Sequence, residues 1–492
     1  MFPPLTTEQQ QAIEYFKTQE SLRLNAFAGT GKTTTLYFMA HSTNRTGIYL
    51  AFNKGIVTNA VDKFPSNVWC KTIHGLALNA TPAAYTANND KVFGTLKNHH
   101  IVTSLNLRPV EIMKGFLLQP RSLGFLIGKT IDTFLNSADR ELNCEHIPLY
   151  GKLTAVPDKY LEYLRQQIVH WANEIWQKMI DPNDTTPLGH NGYLKMWALT
   201  DPKLPFDFVL LDEAQDSNAI VLDLLQKQNI QVVYVGDKYQ QIYAWRGAVN
   251  AMEKIKTPLT SQLSYSFRFG PNIAAVANRF LTLLGERNLV KGDPRKTLIS
   301  NCFAQNHTVL CRTNFGVMGE LFSAVEAGKR PHIIGSTYDL KGLLMEVARL
   351  KNGEYSNHPD FIGFSNWDEV IEFSESPEGE GLRSFVNMVK NYGDQELLKK
   401  LSFCHNNENT ADVVISTVHK AKGREWNFVR LGNDFSKPKQ DENGFYQLNP
   451  EEVRLLYVAV TRGKVDVDTS LESVSQYFQI PYDKAICDSG DA

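Results

Sequence analysis

Leu22-Arg23-Leu24-Asn25-Ala26-Phe27-Ala28-Gly29-Thr30-Gly31-Lys32-Thr33-Thr34 runs from an apolar strand pattern through a Gly-rich loop into the first turn of a helix. A phosphate-binding loop requires that order. The glycines let backbone N–H groups close around phosphate oxygens, and the helix N-terminus adds a favourable field. Lys32 is placed to hold the β- and γ-phosphates of ATP, and the Thr33 hydroxyl to hold Mg²⁺. Ala28, Gly29, Thr30, Gly31 and Thr34 complete the expected cradle. Ala26 stands where the usual pattern has glycine. The bland alternative is a chance Gly-rich turn, and the strand–loop–helix setting argues against it.

The second half of a nucleotide site follows at Val209-Leu210-Leu211-Asp212-Glu213-Ala214-Gln215-Asp216. Apolar residues ending in paired carboxylates describe a buried strand that delivers acids to its C-terminal edge, where α/β folds bind ligands. Asp212 is expected to share Mg²⁺ with Thr33, and Glu213 to orient and deprotonate the attacking water. Together the two motifs predict ATP hydrolysis.

Outward from these motifs, short strands alternate with helical patterns in two blocks. The first holds Leu22–Phe27, Gly47–Phe52, Phe206–Leu211 and Val232–Gly236; the second holds Thr308–Thr313, His332–Gly335, Asp412–Thr417 and Asn427–Gly432. Alternation of this kind predicts parallel sheets. The fold class expected is α/β, with a first domain from 1–84 and 202–255 and a second from 256–336 and 406–492. Mainly helical accessory insertions are expected at 85–201 and 337–405. The first includes a long amphipathic stretch, Lys159–Met179. The second is broken by an acidic loop near Glu375–Gly381.

A chain of 492 residues suggests two to four domains, and 42% hydrophobic with 21% charged residues describes a globular protein. No apolar run approaches the ~18 residues of a spanning helix, and the first ten residues lack the basic and apolar regions of a leader. The expectation is a soluble intracellular protein, cytoplasmic or nucleoid-associated in a prokaryote and nuclear in a eukaryote. Six scattered cysteines without a C-x-x-C pair argue against a zinc site or a disulfide framework. Cys70 and Cys311 read as core thiols. The formal charge of −2 says nothing about a nucleic-acid partner, since a motor that releases its track at each step needs only a local groove.

From Leu5 to about Phe478 the motifs, in order, resemble superfamily 1A helicases of the UvrD/PcrA/Rep type. Tyr49–Ala60, His190–Thr200 and Ser266–Gly270 are most similar to the helicase part of the F-box DNA helicases. The first motif begins at Leu5, which leaves no room for an F-box upstream, so no ubiquitin-ligase role is expected. The resemblance implies two RecA-like P-loop motor domains with ATP between them. It implies that Gln9 reads the adenine edge, that Phe267 stacks on adenine, and that Glu425 lies near the ribose. Arg268 and Arg462 match the two arginines that reach the γ-phosphate from the second motor domain, a device worth roughly 10³–10⁵ in rate elsewhere. Gln240 matches the glutamine that senses the γ-phosphate and links it to the track. Arg424 departs from the family, which has leucine there.

The same resemblance places Phe52 and Trp245 in base pockets, with Tyr243 and Arg246 beside Trp245, and His74 and His419 near the backbone of the strand. Aromatic rings hold bases without reading sequence, at ~1–3 kcal/mol per base. Read alone, each of these rings would as readily be core. The implied mechanism is a cleft that closes on ATP and opens after hydrolysis, stepping a 3′→5′ motor along single-stranded DNA towards single-strand/duplex junctions. One duplex step costs on average ~1.4 kcal/mol to unstack, within reach of one nucleotide. The polarity and a role in DNA repair or recombination come from the resemblance alone. Two other readings stay open: a translocase that strips proteins such as recombinase filaments, and an ATP-gated subunit of a defence or repair complex.

If Trp245 stacks on a base, Trp245→Ala removes roughly 1–3 kcal/mol of strand binding and leaves the slope of log affinity against log salt unchanged, because that slope reports phosphate contacts. A lowered melting temperature with normal strand stimulation would instead make Trp245 a core residue.

Overall fold

The computed structural model describes residues 4–51, 53–242, 251–296, 307–335, 337–356, 358–376 and 380–487. Two parallel sheets organise them. The first has the order Val68–Lys71, Gly47–Leu50, Phe208–Leu211, Gln231–Gly236, Leu22–Ala26, Leu259–Leu263, with every pairing parallel. The second has the order Pro331–Ile333, Val413–Thr417, His307–Cys311, Trp426–Leu431, Gly463–Asp468, also parallel throughout. The α/β expectation holds in both blocks.

Burial explains which strands the sequence announces. Phe208–Leu211 and Gln231–Gly236 are buried at every position, because helices cover both faces and no polar alternation is needed. One face of the first sheet, including Ile48, Leu50, Val209 and Leu211, packs into the core of the first insertion. The opposite face, including Leu24, Tyr49, Leu210 and Val233, packs on the helices Thr7–Lys17 and Lys32–His41. The ring of Phe208 lies over Gly47 so closely that a Cβ there would meet its Cζ at 2.1 Å.

Between Lys71 and Phe208 the chain is helical apart from an antiparallel hairpin, Val110–Met113 with Phe116–Leu118. Its longest helix, Asp158–Ile180, buries Leu161, Leu164, Ile168, Ala172, Ile175 and Met179 at three- and four-residue spacing, the stripe that a core-facing helix needs. The second insertion contributes Tyr338–Lys351, Trp367–Glu375, Glu380–Tyr392 and Asp394–Leu401. After the helix Pro450–Val460 the chain completes the second sheet with Gly463–Asp468. It then adds Ala485–Cys487 parallel to Tyr446–Leu448. Cys311 is buried and Cys70 half-buried. Among the described residues no helix is long and apolar enough to cross a membrane.

The two sheet units meet in one apolar cluster. Phe27, Ala28, Tyr239 and Ile242 from the first unit share it with Phe269, Val418, Leu456 and Tyr457 from the second. The C-terminal ends of the first unit's central strands therefore open directly onto the second unit.

Candidate functional site

The loop after Leu22–Ala26 is built by two left-handed glycines, Gly29 at φ +73° and Gly31 at φ +78°, a conformation that costs other residues energy. Gly31 caps the helix Lys32–His41 without any side-chain hydrogen bond, so the first-turn N–H groups remain available to an anion. A Cβ at Gly29 would lie 2.5 Å from both Arg268 Cβ and Ser266 Oγ, and Phe267 N–H donates to Gly29 O at 2.8 Å. The loop thus lies directly against the second unit. A Cβ at Gly31 would meet Gln9 Nε2 at 3.1 Å and the Phe267 ring at 3.5 Å, so these two residues flank the loop together. Gln9 is held in place from both ends of its amide. Its Oε1 accepts from Thr6 N–H at 3.0 Å, and its Nε2 donates to Thr35 Oγ1 at 3.1 Å. Thr30 is buried and donates to Phe27 O, whereas Thr34 is half-buried.

Asp212 ends the strand Phe208–Leu211 and is buried. Its Oδ2 accepts from Thr33 Oγ1 at 2.6 Å and from Tyr49 OH at 2.8 Å. Glu213 turns away in a left-handed conformation, φ 52° and ψ 44°, a non-glycine strain of order 1–3 kcal/mol. Its Oε2 accepts from Gln215 Nε2 at 2.7 Å and lies 3.7 Å from Lys32 Nζ. The two neighbouring carboxylates are pushed in opposite directions. Burial, then the charge of Glu213, raises Asp212 above its ordinary value against Thr33, Tyr49 and Lys32. Burial also pushes Glu213 up, but Lys32, Gln215, Lys422 and Arg462 override it and hold Glu213 below the usual range. Glu213 is therefore ionised and can accept a proton, as a general base must.

The donor set fits a hard divalent cation bound with a nucleotide. Thr33 and Asp212 offer a hydroxyl and a carboxylate at the mouth of the phosphate loop, and Mg²⁺ commonly takes one or two such oxygens with phosphate and water completing its shell. Among the described residues no group of three or more His, Cys, Asp or Glu side chains is placed to hold a metal.

The second unit supplies cations across the cleft. Arg462 is buried; its Nη2 donates to Gln240 Oε1 at 3.1 Å and its Nε to Val458 O at 3.0 Å. Burial, then Arg268 beside it, pushes Arg462 down to about 9, which leaves it protonated at neutral pH. Arg268 is fixed by Glu425, with Nε to Oε2 at 2.8 Å, and by Thr461 O at 3.0 Å. Glu425 also lies 3.8 Å from Lys464. Lys422 crosses the seam in the same direction: its Nζ donates to Asp216 Oδ1 at 2.5 Å and to Gln240 O at 2.6 Å. Arg424, the departure from the family, reaches Glu408 at 2.8 Å, and Glu408 also accepts from Trp426 Nε1. Here an ion pair on the surface takes the place of apolar packing.

The structure thus gathers Gln9, Ala28, Gly29, Thr30, Gly31, Lys32, Thr33, Thr34, Asp212, Glu213, Gln240, Phe267, Arg268, Glu425 and Arg462 around one cleft. The residues expected at the track divide. His74 Nε2 donates to Asn191 Oδ1 at 3.0 Å, and burial lowers its pKa. His419 contacts Ile242 O at 3.0 Å and lines a cavity of about 190 Å³ with Gln241, Arg312 and Arg454. Phe52, Tyr243, Trp245 and Arg246 lie outside the described residues.

Sequence reasoning missed Tyr49, Gln215, Asp216, Asp237, Lys422 and Tyr457. Asp216 closes the quoted acidic motif and Lys422 lies between His419 and Arg424, yet nothing local says that they meet. Burial raises Asp216 to about 6 against the pull of Lys422. Lys422→Ala leaves that carboxylate buried without its cation, a loss of about 3–5 kcal/mol. A thermal melt is expected to show it, while Lys437→Ala, which breaks an exposed pair with Glu472, leaves the melt unchanged.

The comparisons with known proteins fit this geometry. The UvrD/REP helicase N-terminal domain family matches residues 54–257, and the UvrD-like helicase C-terminal domain family matches residues 351–470. F-box DNA helicase 1 of Gallus gallus is 30% identical over 94% of this chain and 48% of its own length. F-box DNA helicase protein 1 of Schizosaccharomyces pombe is 31% identical over 94% of this chain and 56% of its own length. A probable DNA helicase II homolog of Mycoplasma genitalium is 28% identical over 34% of this chain and 27% of its own length. This chain spans about half the length of the first two relatives. Two family matches, one in each half of the chain, and a cleft lined from both halves lead to one conclusion: the chain belongs to the UvrD-like helicase family.

Proposed function

We propose that this chain is an ATP-dependent DNA helicase that translocates 3′→5′ on single-stranded DNA and opens duplex at single-strand/duplex junctions in DNA repair or recombination. The observation that carries the hydrolytic part is the charge set around Glu213. An ionised, strained carboxylate faces Lys32 from its own unit and is held by Lys422 and Arg462 from the other. Such a site is complete only when the two units are together, which is what a nucleotide-driven motor requires of its cleft. ATP is the substrate; its phosphates suit the loop Ala28–Thr34, and Thr33 with Asp212 would hold Mg²⁺. Bound there, Mg²⁺ would neutralise developing phosphate charge. Glu213 would take the proton of the attacking water, while Arg268 and Arg462 would stabilise the transferring phosphoryl group from the opposite side. The DNA substrate is supported by the family and by the names of the relatives; the polarity and the pathway follow from the motif resemblance.

A translocase that displaces proteins from single strands remains a second reading. It is favoured by the small second insertion, whose helices have between 8 and 14 residues.

ATP turnover measured with single-stranded DNA, RNA and duplex tests the first claim, and stimulation by single-stranded DNA is expected. Lys32→Ala is expected to abolish turnover. Glu213→Gln should still bind ATP, because Thr33 and Asp212 survive, and should lose hydrolysis; near-normal turnover would remove Glu213 from its role. A duplex with one 3′ tail should open faster than its 5′-tailed counterpart, and the reverse order would overturn the polarity. ATP-driven release of a bound protein without strand separation would favour the second reading.

A further inference from the structure

A buried hydroxyl from the opposite unit hydrogen-bonds the phosphate loop without carrying charge. Tyr457 lies on the helix Pro450–Val460, five residues before Arg462, and its ring is fully buried. Its hydroxyl accepts from Ala28 N–H at 3.2 Å and donates to Asp237 Oδ2 at 2.9 Å. The same Asp237 oxygen accepts from Gln240 Nε2 at 2.8 Å, and Gln240 Oε1 accepts from Arg462 Nη2 at 3.1 Å. On its other side, Asp237 N–H donates to Gln215 Oε1 at 3.1 Å, and Gln215 Nε2 donates to Glu213 Oε2 at 2.7 Å. An unbroken run of hydrogen bonds, buried up to its last link, therefore connects Arg462 to Glu213 through Asp237, and Tyr457 branches from it to the loop.

The hydroxyl does what packing alone does not need. A phenylalanine would fill the same apolar space, but Ala28 N–H and the buried Asp237 carboxylate would each lose a partner. A group left short in such a network is free to move towards another.

We propose that Tyr457 is a positioning residue of the hydrolysis site, whose hydroxyl fixes the phosphate loop and Asp237 relative to the helix that carries Arg462. The inference rests on the ATPase reading above. Closing the cleft then brings the arginine into register with the glutamine and the base, because all three are referred to Asp237, the arginine and the glutamine through its carboxylate and the base through its backbone N–H.

Tyr457→Phe in the full chain tests it, with Tyr239→Phe as the control. Tyr239 also makes a hydroxyl contact across the seam, to Glu286 Oε2 at 2.9 Å, but its hydroxyl lies outside the network. For Tyr457→Phe, kcat with single-stranded DNA is expected to fall about ten- to a hundredfold, the range that small misplacement costs. KM for ATP and strand affinity should stay within about twofold, the signature of an interaction felt in the transition state. Tyr239→Phe should keep kcat within about twofold of the wild type. If Tyr457→Phe melts early, all three proteins are compared at a temperature where each is folded. A normal kcat for Tyr457→Phe overturns the proposal, as does a rise in KM that accounts for the whole loss, or an equal loss in Tyr239→Phe. A wild type without strand-stimulated turnover instead overturns the ATPase reading and takes this inference with it.

Discussion

Taking a carboxylate out of water costs several kcal/mol unless cations and hydrogen bonds replace the solvent. Glu213 meets that condition with help from both halves of the chain. Lys32 and Gln215 come from its own unit, Lys422 and Arg462 from the other. If the second unit withdraws, two of its three cations leave and burial is opposed by Lys32 and a hydrogen bond alone. The electrostatics around the proposed base are therefore shared by both units.

The sheets make this possible by geometry. All strands of the first unit run the same way, so the phosphate loop after Leu22–Ala26, the acids after Phe208–Leu211 and Asp237 after Gln231–Gly236 leave neighbouring strands at the same edge. The second unit repeats the arrangement, with Val418–Lys422 leaving the end of Val413–Thr417. Arg462 arrives by another route, at the foot of the helix Pro450–Val460, and enters the cleft just before Gly463–Asp468 begins. Each unit thus offers loop ends to the other. The left-handed turn at Glu213 is the local cost of bending an acid away from Asp212, so that one carboxylate faces Thr33 and the other faces the cations.

How much of this was legible before any coordinates depended on burial. The central strands were visible because full coverage on both faces makes them continuous apolar runs. Leu259–Leu263 and Gly463–Asp468 went unread because they are only partly buried, so their polar residues blur the pattern. The charged cleft residues were legible because their motifs are contiguous. Tyr457 was not, since VRLLYVAV reads as a core helix, and its ring is indeed core while its hydroxyl is not. Asp216 and Lys422 lie 206 residues apart, and no local rule pairs them. The segment from Tyr243 to Asn250, which holds most of the proposed base contacts, lies outside the described residues, so the track rests more on resemblance than the fuel site does.

The seam must be held in one state and released in the next, and its two kinds of contact suit that demand differently. An apolar cluster through Phe27, Tyr239 and Leu456 attracts without direction and loses its stabilisation gradually as surface is exposed. Hydrogen bonds such as Tyr457–Asp237 and Gln240–Arg462 are directional, and with one charged partner each their net value is about 1.5–3 kcal/mol, because water replaces them when they open. Polar contacts therefore fix the register of the closed cleft without making it hard to leave. The exception is Lys422 with Asp216. That pair is buried and charged, and its two partners are strongly favoured only together.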